Sequence, residues 1–354
     1  MIYLLLFCVS LMAGEVLSPK LGYLVHDMYL QKMQSIFPPL IEDEKFTDWG
    51  KEYEIGLYFA RELDLYQAIT AFKRASILIP KSLLSRRREI DYQIINAYYL
   101  GGQYSSATAF FDHSLLANIE PAFPAFHDLL VILYDSLKNQ KEEEKAQRIL
   151  TVMEKSFPFE KIKLDLGGAI LSGDIDRICK TIHDPSIETS IAALESTLDS
   201  SFFEESTGED GLEDQTHLQV EESLQNFYAL RECKEATLQI YTEYEKHKKN
   251  PIVAGGLNAL IPGLGYLYLG QKQSALTAFL LNGLTTLAAV VCFQNDNLPA
   301  ALLAMSFESG WYFGGIYGAK EEALFFNTRT FEQSAHYRLR DYQLYPILML
   351  RHGF

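Results

Sequence analysis

Glu308 lies in a stretch with almost no other charge, since from Pro251 to Phe307 the only charged residues are Lys272 and Asp296. An ionised carboxylate at membrane depth costs several kcal/mol unless it is protonated, paired or facing water. Two readings follow. Either Glu308 is a proton or ligand site inside an apolar hairpin, or its segment lies shallow and the side chain faces another polar part of the same chain. Three other constellations suggest chemistry and then fail on spacing. Residues 204–222 carry eight acids and no Lys or Arg, but the alternating acids, obligatory Gly and terminal Glu of a calcium loop are missing. The glycines of Pro262-Gly263-Leu264-Gly265 are not followed by Lys-Ser/Thr at phosphate-loop spacing. No HExxH, GxSxG, CxxC or kinase set occurs, and the eight histidines are scattered. The expectation is a protein that is not an enzyme, with no cofactor and no metal. The 15-charge acidic excess, 31 Lys plus Arg against 46 Asp plus Glu, also argues against a phosphate-tracking surface, so no nucleic-acid partner is expected.

The elements that would position these residues begin with two apolar zones. Residues 1–14, MIYLLLFCVSLMAG, are uncharged and end in small residues, which reads as a signal peptide. Its first residues lack Lys and Arg, and a buried N-terminal helix is the alternative. Phe7 before Cys8 is too bulky for a lipoprotein cleavage box. Export would allow Cys179 and Cys233 to pair. The second zone contains Ser274–Phe293, 20 uncharged residues, about 30 Å as a helix. A polar turn at Gln294–Asn297 follows, then a second segment of 22 residues, Leu298–Ala319. Together they predict a membrane hairpin. Gly283, Gly310, Gly314, Gly315 and Gly318 would let its helices approach, and Trp311, Tyr312 and Tyr317 suit the interface.

Between the zones the chain repeats. Ala68, Ala107 and Ala146 are each separated by 39 residues. Around them recur a large apolar residue four later (Phe72, Phe111, Leu150) and another nine earlier (Phe59, Tyr98, Leu137). Pro80 and Pro158 close the first and third copies, and Pro121 the second, two positions late. The first copy, WGKEYEIGLYFARELDLYQAITAFKRASILIP, resembles the tetratricopeptide repeat family at Ile55-Gly56, Phe59, Ala68, Phe72, Ala75 and Pro80. The second keeps Ile94, Tyr98, Gly102, Tyr104, Ala107 and Phe111, and the third mainly Leu133, Ala146 and Pro158. The 39-residue period against the family's 34 implies extra residues between repeats, as in SRRRE at 85–89. The resemblance implies a non-enzymatic scaffold whose first helices line a groove for a protein or peptide. Its groove-facing positions are Tyr53, Leu57 and Arg61, then Tyr92, Asn96 and Tyr99, then Asp135 and Asn139. The tyrosines would supply aromatic anchoring, or would pack between neighbouring helices instead. The stack is expected to continue to residue 200, with breaks at Ser172-Gly173-Asp174 and Asp184-Pro185.

Pro262, Gly263, Gly265, Tyr268 and Gly270 form a PGxGxxYxG pattern. It resembles the signature before hydrophobic hairpins in small bacterial membrane modules of the TM2 type and in related envelope proteins, and Gly310-Trp311-Tyr312, Gly318-Ala319 and Asn327-Thr328-Arg329 look like that group's second half. The resemblance implies membrane association through residues 250–330. The assembled expectation is an all-α chain. It has a signal at 1–14, a helical cap at 15–48, repeats at 49–200, an acidic flexible linker at 201–217, an amphipathic helix at 218–249, a glycine-rich membrane hairpin at 250–330 and a tail at 331–354. It would act as an envelope-anchored scaffold with periplasmic repeats, serving envelope assembly. The alternative makes the hairpin a small transport or lipid-handling unit that the repeats recruit. Topology pulls two ways: a signal exports the repeats, while Lys246, Lys248, Lys249, Lys272, Lys320 and Arg329 favour a cytoplasmic flank. Either the signal is not cleaved as read, or the hairpin only dips into the membrane.

Overall fold

The computed structural model describes residues 33–185, 187–189, 191–192 and 213–354, with backbone alone over 213–223. The expected signal at 1–14 and most of the expected linker lie outside the described residues. Every regular element among those described is helical. They fall into two units. The first holds the described residues up to Leu171, those from His183 to Cys233, and Leu339–Phe354; the second holds Ser172–Ile182 and Lys234–Arg338.

In the first unit a short helix α1 (Glu42–Lys45) precedes three helical hairpins: α2 (Asp48–Arg61) with α3 (Leu65–Leu78), α4 (Leu84–Leu100) with α5 (Tyr104–His113), and α6 (Phe126–Asn139) with α7 (Glu143–Ser156). α8 (Pro158–Leu171) follows, and each helix packs on the next in chain order. The three turns are built alike. Leu63, Gly102 and Lys141 take the left-handed conformation, φ 59°, 68° and 62°. The next residue's N–H in each case donates back to Phe59, Tyr98 or Leu137 at 2.9–3.0 Å. That closes a Schellman turn and satisfies carbonyls the helix end would orphan. The 39-residue period of the sequence is therefore the period of a hairpin. Ala68, Ala107 and Ala146 are buried at the helix contacts, and Gly56 sits so close to the Phe72 ring that a Cβ there would lie 2.5 Å from it.

Several boundaries differ from expectation. Ser85–Glu89 is no spacer: it forms the first turns of α4, because Arg86 is needed there. Its guanidinium donates to the Pro38 and Pro39 carbonyls at 2.8 and 3.0 Å and bridges Glu44 and Glu89 at 2.9 and 2.8 Å, clamping the N-terminal segment on the stack. Pro121 ends no helix, since α5 stops at His113 and Pro121 lies in the loop before α6. The break at Gly173 (φ 66°) stands between α8 and α9 (Ile175–Ile182). Helix α10 (Glu213–His247) is already helical at Glu213, so the end of the expected linker is helical.

The second unit contains the C-terminal part of α10, then α11 (Pro251–Leu260), α12 (Leu264–Tyr268), α13 (Lys272–Gln294) and α14 (Leu298–Asp341). Helix α14 is one element of 44 residues, not a 22-residue segment followed by a tail. No Pro or glycine pair interrupts it after Gly315, and Ala319 and Ala323 are buried against neighbours. Two contacts fix α13 antiparallel to α14 in one register. Gln271 donates to Glu322 beside the N-terminus of α13, and Thr285 donates to Glu308 halfway along. On its other side α14 runs antiparallel to α10 and α11, through Arg338 to Glu243 at 2.9 Å and Tyr312 to the Ala259 carbonyl at 2.6 Å.

Candidate functional site

The face expected to be a groove is largely interior. Tyr53, Tyr92, Asn96 and Tyr99 are buried, Leu57 and Asp135 are half-buried, and only Arg61 and Asn139 are exposed. The tyrosines act between helices. The Tyr53 hydroxyl donates to Glu89 and the Tyr99 hydroxyl to Asp135 at 2.8 Å. Both bonds join the first helices of successive hairpins. Burial pushes the Glu89 carboxyl up against the lowering effect of Tyr53 and Arg86. Burial likewise raises Asp135 from 3.8 to about 6, opposed by hydrogen bonds from Tyr99 and Asn139.

This shift has a measurable sign. Between the unfolded value near 3.8 and the folded value near 6, the folded chain binds the extra proton. The stability due to Asp135 is therefore complete below about pH 4 and is lost as pH rises through about 6, at most ~3 kcal/mol. Asp135→Asn is expected to flatten the stability profile between those limits while leaving the fold intact. Urea unfolding at half-unit pH steps checks it, and an unchanged profile would remove Asp135 from the account.

On Tyr92 this face is covered by Phe37 and Phe123, ring centroids 5.5 and 6.1 Å away, and next to it the segment from Pro346 to Phe354 packs on the stack. After a left-handed turn at Gln343 (φ 52°) and a 3-10 turn at Pro346–Met349, the segment to Phe354 packs on α6. Asp128 of α6 is fully buried, and its carboxylate accepts from the backbone N–H of Arg351 at 3.1 Å and of His352 at 2.9 Å. His127 Nδ1 lies 2.8 Å from the same carboxylate. Gly353 N–H donates to the Gln34 carbonyl at 3.1 Å, and a Cβ at Gly353 would sit 2.6 Å from the Met33 carbonyl. Beyond it the Phe354 ring stacks on Phe72, centroids 6.5 Å apart. Met349, Leu350 and Phe354 belong to the same apolar core as the helices. Arg351 stays exposed, pairs with Glu160 and lies over the Phe157 ring.

The trough is not filled by its occupant. A cleft of about 620 Å³ opens beside the segment, lined by His127, Glu160, Lys163, Leu348 and Arg351 among others. Burial pushes the Lys163 ammonium down. Among the described residues, Tyr92 Oη, Asn96 Oδ1 and His127 Nε2 are buried without a hydrogen-bond partner. Asp128 and the tail were not singled out in the sequence. The signal available was Leu344–Leu350, LYPILML, an apolar run after a helix with nothing of its own to pack on.

The second candidate is the glycine-rich corner. Asn250 caps α11, its side chain accepting from Ile252 and Val253 N–H at 2.9 and 3.3 Å, with Pro251 in the first turn. The helix ends at Pro262-Gly263. Gly263 has φ 94°, and a Cβ there would lie 2.2 Å from the Ala275 carbonyl, so only glycine fits. The polar groups freed at the break are satisfied internally: Asn258 Oδ1 accepts from Gly263 N–H at 2.8 Å, and the Tyr312 hydroxyl takes the Ala259 carbonyl. Gly265 packs against Ala254, Asn258 and Ala319, where a side chain would clash. α12 then returns to the level of Asn250, whose N–H donates to the Tyr268 hydroxyl at 3.2 Å. At that level the Asn327 amide clasps Lys249, accepting from its N–H at 2.7 Å and donating to its carbonyl at 2.8 Å. The Lys249 ammonium lies 4.8 Å from the Tyr268 ring centre. Gly270 (φ 81°) starts the turn into α13.

Beyond this polar level the unit is apolar on the outside. Leu276, Phe279, Leu284, Leu287, Leu303 and Phe313 are all exposed, and Trp311 and Tyr317 are exposed with them. α13 is the one described helix long and apolar enough to cross a membrane, and its most apolar window is only 11 % buried. Inside it, Glu308 accepts from Thr285, while Asn282 is buried and donates to the Ala278 carbonyl at 2.7 Å. Among the described residues Cys179, Cys233 and Cys292 form no disulfide, so the expected Cys179–Cys233 pair is not made. No group of His, Cys, Asp or Glu among the described residues could hold a metal. No family model matches this chain, and no curated protein or solved structure matches it.

Proposed function

We propose that the protein is a non-enzymatic helical scaffold of the tetratricopeptide type, anchored in a bacterial envelope membrane by its glycine-rich hairpin and presenting a protein- or peptide-binding face on its repeats. The observation that carries the anchor is the exposure of α13. A core helix of a soluble protein buries its apolar surface, and this one leaves nearly all of it open. α11 and α12 support the same reading, because a helix broken at membrane depth is tolerated only where its freed backbone groups are paired within the protein. Asn258 and Tyr312 supply that pairing. α11 would then enter to half depth, since 10 residues rise about 15 Å. Lys249, Lys272 and Lys320 would sit at the headgroup level. For the scaffold, the support is the thrice-repeated hairpin with one turn geometry and one 39-residue period.

The test places a photo-crosslinking amino acid in the full chain at Arg61 or Asn139, the exposed positions of the expected binding face, or at Ile77 on α3. Discrete adducts of the same mass in membrane fractions from the first two, absent from Ile77, are expected. Equal adducts at all three would contradict a binding face. A second reading, a proton-handling hairpin, is favoured by the Thr285–Glu308 contact. It requires reconstituted protein to dissipate an imposed pH gradient and Glu308→Gln to stop it; no flux from the unaltered protein removes this reading.

A further inference from the structure

The C-terminal segment is attached to the stack differently from every helix beneath it. The helices hold one another through full apolar faces and repeated turns. Residues 350–354 take no regular structure. They are seated by three recognisable devices: a buried carboxylate reading two consecutive backbone N–H groups, a glycine in a gap too narrow for a side chain, and an aromatic ring laid on Phe72. These are the means by which a fold holds an extended peptide. Main-chain hydrogen bonds give affinity, and pockets for particular side chains give selectivity. Asp128 reads only backbone, so it places no demand on the identity of Arg351 or His352. Those two side chains point outward enough to remain exposed or half-exposed.

The seat also offers more than its occupant uses. The cleft beside Leu348 and Arg351, with the buried and unpartnered His127 Nε2 in its wall, is hydrogen-bonding capacity that the segment leaves unmet. Leaving such groups unpaired costs free energy that a better-matched ligand would recover.

We propose that residues 346–354 are a cis ligand of a peptide-binding trough, and that the trough's other ligand is an extended peptide of a partner protein with the same chemistry: a buried aliphatic residue followed four positions later by an aromatic, with a small residue just before the aromatic. The pattern is that of Leu350, Gly353 and Phe354. The scaffold is thus closed by its own tail until a partner competes for the seat. This inference rests on the scaffold reading and adds the ligand class and the means by which the site is kept shut.

Two experiments on the full chain in detergent micelles decide it. Amide hydrogen exchange of the unaltered protein compares Arg351, His352 and Gly353 with the mid-α6 amides Ile132 to Ser136. Exchange at least 100-fold faster at the tail is expected, because the segment opens without the stack. Equal protection would make the tail an ordinary part of the core and overturn the proposal. The second uses a fluorescein-labelled peptide of sequence Leu344–Phe354 and the variant Gly353→Ala with Phe354→Ala. A Cβ at Gly353 would sit 2.6 Å from the Met33 carbonyl, which unseats the tail. At least 10-fold tighter peptide binding than to the unaltered protein is expected, with the gain lost on adding Asp128→Asn. Equal binding to both proteins would refute self-closure while leaving a peptide groove in place. No binding to a variant that keeps its helical circular dichroism would refute the groove itself. If the variant loses its helicity, the exchange experiment decides alone.

Discussion

Phe72→Ala is expected to cost the repeat unit about 3–5 kcal/mol, a third or more of the stability of an ordinary domain. The ring is fully buried. Gly56 is flat against one face of it, the Tyr53 ring is 5.6 Å away, and Phe354 is stacked on it. Gly56 and Tyr53 cannot follow a shrinking side chain, because Gly56 has no side chain and Tyr53 is tied to Glu89. The cavity would stay open, and the upper end of the range applies when a site cannot collapse. The chain has two tryptophans, and Trp49 is buried in the repeat unit. In a Trp311→Phe background, Trp49 fluorescence therefore reports urea unfolding of that unit alone, which matters because two units need not unfold in one step. Loss of the Phe354 stacking partner should also speed exchange at Gly353 beyond the change in global stability. A destabilisation below about 1 kcal/mol would mean that the ring does not lock the first hairpin to the tail.

The second large effect concerns the hairpin. Leu284 and Leu287 are 62 % and 58 % exposed on α13. In a bilayer, each Leu→Arg change near a helix centre costs about 3 kcal/mol, so the pair Leu284→Arg, Leu287→Arg should lose ~6 kcal/mol of insertion free energy. In water, the same substitutions at exposed positions would be within ±0.5 kcal/mol of neutral. The two environments thus predict opposite outcomes from one variant. Flotation of the full chain with phosphatidylcholine vesicles containing phosphatidylglycerol is expected to carry the unaltered protein upward and leave most of the double-Arg variant at the bottom. Equal flotation of both would show that α13 is not what enters the lipid. Glu308 is already accommodated by Thr285, so Glu308→Gln should float like the unaltered protein.

Much of the architecture was legible because it depends on short-range rules. The 39-residue period survived as a hairpin period, since the residues nine before each alanine turned out to be the acceptors of identical Schellman turns. Gly263 and Gly265 were legible as close-approach glycines for the same local reason. The face assignment was not. Tyr53 and Tyr99 occupy positions that line an open groove in the resembled family, but each is followed on the next hairpin by a carboxylate, Glu89 or Asp135, that its hydroxyl can reach. That pairing spans 36 residues, and no local pattern reveals it. The tail escaped notice because its partner, Asp128, lies more than 220 residues earlier in the chain and because an acid inside an apolar helix looks like an exception rather than a receptor for backbone N–H groups. The length of α14 was not legible because the change from apolar to polar residues near Lys320 does not coincide with a helix end.

The measurement that tests the central claim most directly is alkaline-carbonate extraction of membranes from cells expressing the full chain. Carbonate releases proteins held at a surface by charge and leaves those whose apolar segments are buried in lipid. The expected result is retention of the chain in the pellet, with the Leu284→Arg, Leu287→Arg variant released. Complete release of the unaltered chain would mean that the exposed apolar surface of α13 is covered by protein rather than lipid, and the anchored scaffold would be wrong.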